Sequence, residues 1–244
     1  MTPSSTPDED DDARSPELSW HEGDMPYSEA FGDFYYSRAD GRAECRHVFL
    51  GGNGLPERFE KSARFIIGEL GFGTGLNFIE TWAAWADAAP QGAVLVFHSF
   101  ELHPLERAAM VRALSAWPEL CGRAEMLAAA WPDRPGGEIV CHFDHQPGPV
   151  ELTIHCGPAQ QKLPACGIIA DAWYLDGFAP SRNPEMWSAE LLRAVAASTT
   201  AGGTCATYSA AGWVRRNLAA AGFSVEKRPG HAGKRDMSVG ILAR

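Results

Sequence analysis

Arg64-Phe65-Ile66-Ile67-Gly68-Glu69-Leu70-Gly71-Phe72-Gly73-Thr74-Gly75-Leu76-Asn77 carries the strongest structural signal in the chain. A buried apolar run, Phe65 to Ile67, leads through Glu69 into Gly71, Gly73 and Gly75, and a helical pattern follows with Phe78, Ile79 and Trp82. This reads as strand, glycine turn, helix. Glycines in such a turn let the backbone take positive φ and approach a ligand closely, while the free N–H groups of the following helix point at the ligand's polar part. A nucleotide-like cofactor is the first expectation.

The spacing is G-x-G-x-G, not the dinucleotide fingerprint G-x-G-x-x-G, and its absence counts against an NAD-dependent oxidoreductase. S-adenosylmethionine (SAM) has no pyrophosphate to cradle, and an acidic residue beside the turn, Glu69, suits its ammonium group. The next apolar run, Ala93 to Phe100, ends at Glu101, where a second strand presents a carboxylate to ribose hydroxyls. A glycine turn alone also occurs in loops that bind nothing. Paired with Glu101 it favours SAM, with Glu69, Gly71, Phe72, Gly73, Thr74, Gly75, Asn77 and Glu101 as the expected cofactor residues.

A chain of 244 residues buries one sizeable core. No apolar run approaches the roughly 20 residues of a membrane helix, and the acidic N-terminus is unlike a signal peptide, so a cytoplasmic protein without a membrane partner is expected. Six cysteines lie scattered without a CxxC pair, which argues for reduced, structural thiols. Cys141, His142, His145, His155 and Cys156 lie on neighbouring segments. Alternation along strands keeps them from converging, and no metal site is expected.

The net charge of −10 is unevenly placed. Residues 1 to 24 hold eight acids against Arg14, and the chain from Gly212 onward holds seven Lys or Arg against Glu226 and Asp236. Residues 1–17 read as a disordered acidic tail, and the basic end can face phosphates, although a solvated helix face explains Arg215 and Arg216 equally well.

Aromatic and β-branched residues over Tyr27 to Tyr36 and Arg46 to Leu50 read as short strands, so 18–60 is expected to form a small N-terminal hairpin or lid ahead of a catalytic domain over 61–244. Tyr35 and Tyr36 are either core residues or part of the cofactor cover. Further on, helices are expected at Leu76 to Asp87, with Trp82 and Trp85 packed on the sheet, and from Pro104 to Ser115. A hairpin follows over Ile139 to Phe143 and Val150 to His155, then a strand from Ile168 that delivers Asp176 at its C-terminal end. Pro184 to Ala197 is a helix, Gly203 to Tyr208 a strand, Ala211 to Ala220 a helix, and Phe223 to Lys227 pairs with Met237 to Leu242. The alternation predicts an α/β domain with a mostly parallel, twisted sheet and helices on both faces. Gly71, Glu101 and Asp176 then fall on one edge, where ligands bind in such sheets.

The second chemical stretch is Asp176-Gly177-Phe178-Ala179-Pro180-Ser181-Arg182-Asn183-Pro184-Glu185-Met186-Trp187. A carboxylate sits at a strand tip, with two prolines stiffening the loop after it. A structural Asp capping the turn is the plain alternative.

Gly71 to Phe78, Ser99-Phe100-Glu101, the Asp176-Gly177-Phe178-Ala179-Pro180 run, Asn183 to Trp187, Ser209 to Gly212 with Val214-Arg215-Arg216, and Lys234 to Met237 together resemble the methyltransferase domain of MnmC and its stand-alone relatives, sometimes called MnmD. Val48 to Leu55 also fits, and the resemblance covers about residues 20 to 242. It implies a Rossmann-like SAM-dependent methyltransferase fold and methyl transfer from SAM to the primary amine of 5-aminomethyl-(2-thio)uridine at the tRNA wobble position. In fused relatives an FAD-dependent oxidase domain removes a carboxymethyl group first. The chain stops at Arg244, so methyl transfer alone is expected, with upstream enzymes making the aminomethyl precursor.

The resemblance implies Asp176 as the residue that orients the amine and accepts its proton. Phe178 is the candidate for stacking on uracil, against simple loop packing, and Pro180 and Arg182 lie on the same loop. Arg215, Arg216, Lys234 and Arg235 are expected to meet phosphates of the tRNA anticodon loop. Many relatives carry an acid where this chain has Pro158, a position that would meet the adenine amino group, so adenine recognition must fall to backbone groups or another side chain. A methyltransferase for another amine or small molecule, and a non-catalytic tRNA-binding subunit, are the two rival readings.

Overall fold

A computed structural model describes residues 17–37, 40–232 and 236–243. The tail expected over 1–17 therefore lies, apart from Glu17, outside the described residues.

Three short strands open the chain: β1 (Leu18–His21), β2 (Met25–Ser28) and β3 (Asp33–Phe34), paired antiparallel in a sheet of their own. The single strand expected over Tyr27 to Tyr36 is thus split by a turn containing Gly32 at φ 62°. The strand expected at Arg46 to Leu50 is not formed. Asp40 caps helix α1 (Gly41–Cys45) by accepting from the N–H of Ala43, and the helical path continues through a wider π-helical turn at Arg46–Leu50 and a 3-10 turn at Gly51–Asn53. Val48, Phe49 and Leu50 are all buried, which an alternating strand facing solvent on one side would not allow.

The main sheet is built from β4 (Arg64–Leu70), β5 (Val94–Glu101), β6 (Glu138–Phe143), β7 (Val150–Cys156), β8 (Ala170–Leu175), β9 (Thr199–Thr207), β10 (Phe223–Pro229) and β11 (Asp236–Leu242). Their spatial order is β10-β11-β9-β8-β4-β5-β7-β6. The five central strands run parallel, and the edges close with antiparallel partners, β6 on β7 and β11 between β9 and β10. Strand β4 lies between β5 and β8, so the chain leaves it in one direction and later returns on its other side. The crevice at that switch point is where such sheets bind ligands.

Helices α2 (Leu76–Ala88), α3 (Arg107–Leu114) and α4 (Cys121–Ala130) contribute to one buried cluster, in which Trp82, Trp85 and Phe78 meet Phe97 and Tyr174. That cluster also takes in Val48, Phe49, Leu55 and Phe59, so the segment after β3 is packed into the main core. Helices α5 (Ala159–Cys166), α6 (Ala189–Ala197) and α7 (Gly212–Ala220) cover the opposite face around Trp173, Leu192 and Val214. Both tryptophans of α2 are completely inaccessible, which identifies them as core. Among the described residues, no helix is long and apolar enough to cross a membrane.

Candidate active site

Gly71 is where the strand tips meet. Its φ is 90°, and a side-chain carbon there would lie 2.2 Å from the carbonyl oxygen of Asp176, so only glycine lets β4 and β8 end side by side. The N–H of Gly71 donates to the Phe100 carbonyl at 2.9 Å, and the N–H of Asp176 donates to the Leu70 carbonyl at 3.0 Å. Three strand ends are thereby tied together through their backbones.

Two carboxylates stand on this edge. Glu101, last in β5, accepts from the N–H of Gly73 at 3.0 Å with one oxygen and from the N–H of His103 at 2.8 Å with the other. Asp176, just past β8, accepts from the side-chain amide of Asn77 at 2.6 Å. The same amide nitrogen donates to Glu69 at 3.0 Å, and the hydroxyl of Ser99 donates to the other Glu69 oxygen at 2.8 Å. Glu69 is fully buried, and burial pushes its carboxyl up to about 8, an effect the nearby Asp176 and Glu101 charges reinforce and the two donors oppose. It stands one layer behind the cavity wall.

The loop after Asp176 is held along its backbone. Tyr208 donates its hydroxyl to the Gly177 carbonyl at 2.7 Å, the indole of Trp187 donates to the Phe178 carbonyl at 3.0 Å, and the N–H of Ala179 donates to Asp33 at 3.0 Å. The Phe178 ring stacks on Phe31 with centroids 4.7 Å apart and meets the edge of Tyr35 at 5.3 Å.

These parts enclose a cavity of about 490 Å³. Gly71, Phe72, Gly73, Thr74, Asn77, Glu101, Asp176 and Phe178 line it, as do Tyr35 and Tyr36. Gly75 caps α2 beneath the loop. Pro180 and Arg182 lie outside the lining, with the Arg182 guanidinium against Gly32. Arg215 and Arg216 sit on the first turn and a half of α7, which starts from the same sheet edge, and neither reaches the cavity. Lys234 and Arg235 lie outside the described residues. Pro158 lines the cavity beside Gly157 and Gln160, and the Gln160 amide donates to the Glu185 carbonyl at 3.0 Å.

Among the described lining residues there are five carboxylates, Asp33, Glu44, Glu101, Asp176 and Glu185, and no Lys or Arg. Such walls repel a pyrophosphate and suit a ligand carrying a sulfonium and an ammonium, which is the charge pattern of SAM. Among the same residues no group of three His, Cys, Asp or Glu is placed to hold a metal ion. Cys141 is buried against the Ala130 carbonyl, and His155 stacks on Phe100.

A family model described as S-adenosyl-L-methionine-dependent methyltransferase matches residues 118–243. The chain belongs to this methyltransferase family. SAM is its cofactor, and the carboxylate-lined cavity fits it. The methyltransferase is 45% identical over 234 residues to the tRNA 5-methylaminomethyl-2-thiouridine biosynthesis bifunctional protein MnmC of Chromohalobacter salexigens, a match covering 93% of this chain and 33% of that protein. With the protein of the same name from Hahella chejuensis it shares 45% identity over 229 residues, covering 93% of this chain and 36% of the relative. The chain thus spans about a third of the length of these relatives. The crystal structure of MNMC2 from Aquifex aeolicus superposes with a TM-score of 0.74 at 21% identity, over 95% of this chain and 72% of that one, and shares the fold. The mostly parallel α/β sheet expected from the alternation of strands and helices, and the Rossmann-like methyltransferase fold implied by the resemblance, are observed.

Asp33, Phe31 and Tyr208 join the site without having been expected there. Tyr208 follows β9 on the binding edge, where the rule that locates Asp176 also points. Asp33 gives no local sign, because its partner Ala179 is 146 residues away.

Proposed function

We propose that this methyltransferase methylates the primary amine of a 5-aminomethyl-(2-thio)uridine at the wobble position of tRNA, giving the 5-methylaminomethyl base. The observation that carries this reading is Asp176: a carboxylate on the binding edge, fixed by Asn77 at 2.6 Å, in a cavity with no cationic side chain among its described lining residues. An amine acceptor needs such a partner. The names of the MnmC relatives and the 45% identity over nearly the whole chain support the nucleobase and the tRNA.

Bound SAM supplies a methyl carbon made electrophilic by its sulfonium. The amine must arrive neutral, with its lone pair free for the methyl carbon; SAM, when bound, would supply that carbon and would keep the electron pair on sulfur as the carbon–nitrogen bond replaced the carbon–sulfur bond. Asp176 orients the amine by accepting an N–H bond, then takes the proton released when the alkylated nitrogen returns to neutrality. Asn77 keeps the accepting oxygen in place. Gly73 and Glu101 shape the cofactor half, and Phe178 offers a ring for the base, a contact of about 1–3 kcal/mol in nucleic-acid complexes.

The tRNA anticodon loop meets Arg215 and Arg216 of α7 through its phosphates, and the protein works in the cytoplasm beside the enzymes that make the aminomethyl precursor. The test is single-turnover transfer from labelled SAM to tRNA with and without 5-aminomethyluridine, by wild type and Asp176→Ala. Label only in the modified tRNA, reduced by at least about a hundredfold in a variant that still binds SAM, is expected. Equal label in both tRNAs, or an active Asp176→Ala, defeats the reading.

A further inference from the structure

The segment Phe31 to Tyr35 contains β3 of the small N-terminal sheet and its flanking residues, outside the strand order that defines the fold. It nevertheless touches the site from three directions. One Asp33 oxygen accepts from the N–H of Ala179 and the other from the N–H of Phe34, both at 3.0 Å, so the carboxylate is a staple between two loops. Phe31 stacks on Phe178, two residues past Asp176. Tyr35 covers Gly73, where an added side-chain carbon would stand 3.2 Å from its ring. One short stretch therefore meets both the loop carrying the carboxylate and the loop facing the cofactor.

The Ala179 carbonyl accepts from the N–H groups of Arg182 at 2.7 Å and Asn183 at 3.0 Å, closing a turn, while its own N–H looks out of the main domain to Asp33. Gly177 and Phe178 are held through their carbonyls by Tyr208 and Trp187, from β9 and the turn before α6, whereas the next amide is held only across the cavity mouth. Without Asp33 the Phe178–Ala179 peptide would lose its N–H anchor and could tilt, and a shift of about 1 Å at a reacting group can cost a hundredfold in rate.

We propose that Asp33 is a positioning residue for methyl transfer. Its carboxylate fixes the Ala179 amide and, with the Phe31 and Tyr35 rings closing on Phe178, makes the N-terminal sheet the wall that receives the acceptor base. The proposal rests on the reading of Asp176 given above. Its chemistry is that of a planar, uncharged ring bearing a basic arm: rings for the plane, carboxylates for the arm.

The test uses the full chain and three variants, Asp33→Ala, Asp33→Asn and Phe31→Ala. Asp33→Ala should lower kcat roughly ten- to hundredfold while SAM affinity by calorimetry stays within about threefold, and amide exchange at Phe178, Ala179, Ser181 and Arg182 should accelerate. Asp33→Asn keeps one acceptor oxygen and should recover part of both effects. Phe31→Ala should raise KM for the acceptor tRNA more than it lowers kcat. The proposal is overturned by an Asp33→Ala protein with wild-type kcat and wild-type exchange, or by an Asp33→Asn protein as impaired as Asp33→Ala. Exchange needs no acceptor, so a wild type inactive on tRNA would sink the functional reading while the exchange result still judges Asp33.

Discussion

The side-chain amide of Asn77 reaches Asp176 at 2.6 Å and, with the same nitrogen, Glu69 at 3.0 Å, so one neutral group holds a carboxylate on the cavity edge and a buried one together. Removing it leaves two acids without their common donor. Asn77→Ala should lose about 1 kcal/mol of stability, the net worth of a hydrogen bond to the buried Glu69, and should lower turnover more than SAM affinity, because Asp176 loses the donor that orients it. Thermal melts beside steady-state rates would check this; a rate matching wild type would contradict it.

Glu69 makes stability depend on pH in an unusual direction. Its carboxyl sits at about 8 in the folded protein, above the ordinary value of 4.5, chiefly through burial. The folded state therefore holds a proton that the unfolded chain releases, and the resulting stabilisation is fully present below about 4.5 and lost progressively up to about 8. Replacing Glu69 by Gln should flatten this slope. Urea denaturation at about pH 6 and about pH 8.5, on either side of the folded-state value, should show a smaller fall in stability for Glu69→Gln than for wild type.

Gly71 and Gly92 both carry positive φ, 90° and 79°, but differ in what surrounds them. An added carbon at Gly92 meets nothing within 4 Å, while at Gly71 it meets the Asp176 carbonyl at 2.2 Å. Gly92→Ala should cost about 1 kcal/mol through backbone strain alone. Gly71→Ala should separate the strand tips and abolish SAM binding by calorimetry. Intact SAM binding in Gly71→Ala would mean that the tips can part without harm to the cofactor half.

Charge reversal at Arg215 and Arg216 should weaken tRNA binding and leave SAM affinity unchanged. For every phosphate that α7 no longer neutralises, the plot of log affinity against log salt should become shallower by about 0.7 to 0.9. Filter binding at several salt concentrations measures this directly, and a slope identical to wild type would remove α7 from the docking surface.

Much of the architecture is legible in the chain because it rests on local patterns. The glycine turn, the apolar runs ending in Glu101 and Asp176, and the hairpin over β6 and β7 follow from periodicity and backbone chemistry, which act within a few residues. Arg46 to Leu50 misleads because β-branched and aromatic residues signal burial as well as strand, and here burial comes from a helix capped at Asp40. Helices α4 and α5 escape such a reading: α4 follows a proline-punctuated connection, and α5 carries Pro164 within its span. Glu69, expected beside the ligand, points inward to Ser99 and Asn77, since sequence order does not say to which face of a strand tip a side chain turns. The clamp on Ala179 is hidden for another reason: pairings between distant segments leave no trace in local pattern.

The acidic lining has a consequence for the end of the catalytic cycle. Before transfer the donor carries a sulfonium; afterwards that centre is a neutral thioether, and of the five lining carboxylates Asp176 has taken up the proton of the amine. The charge attraction between these walls and the donor is thus weakened by the reaction itself, a change that favours release of the spent molecule.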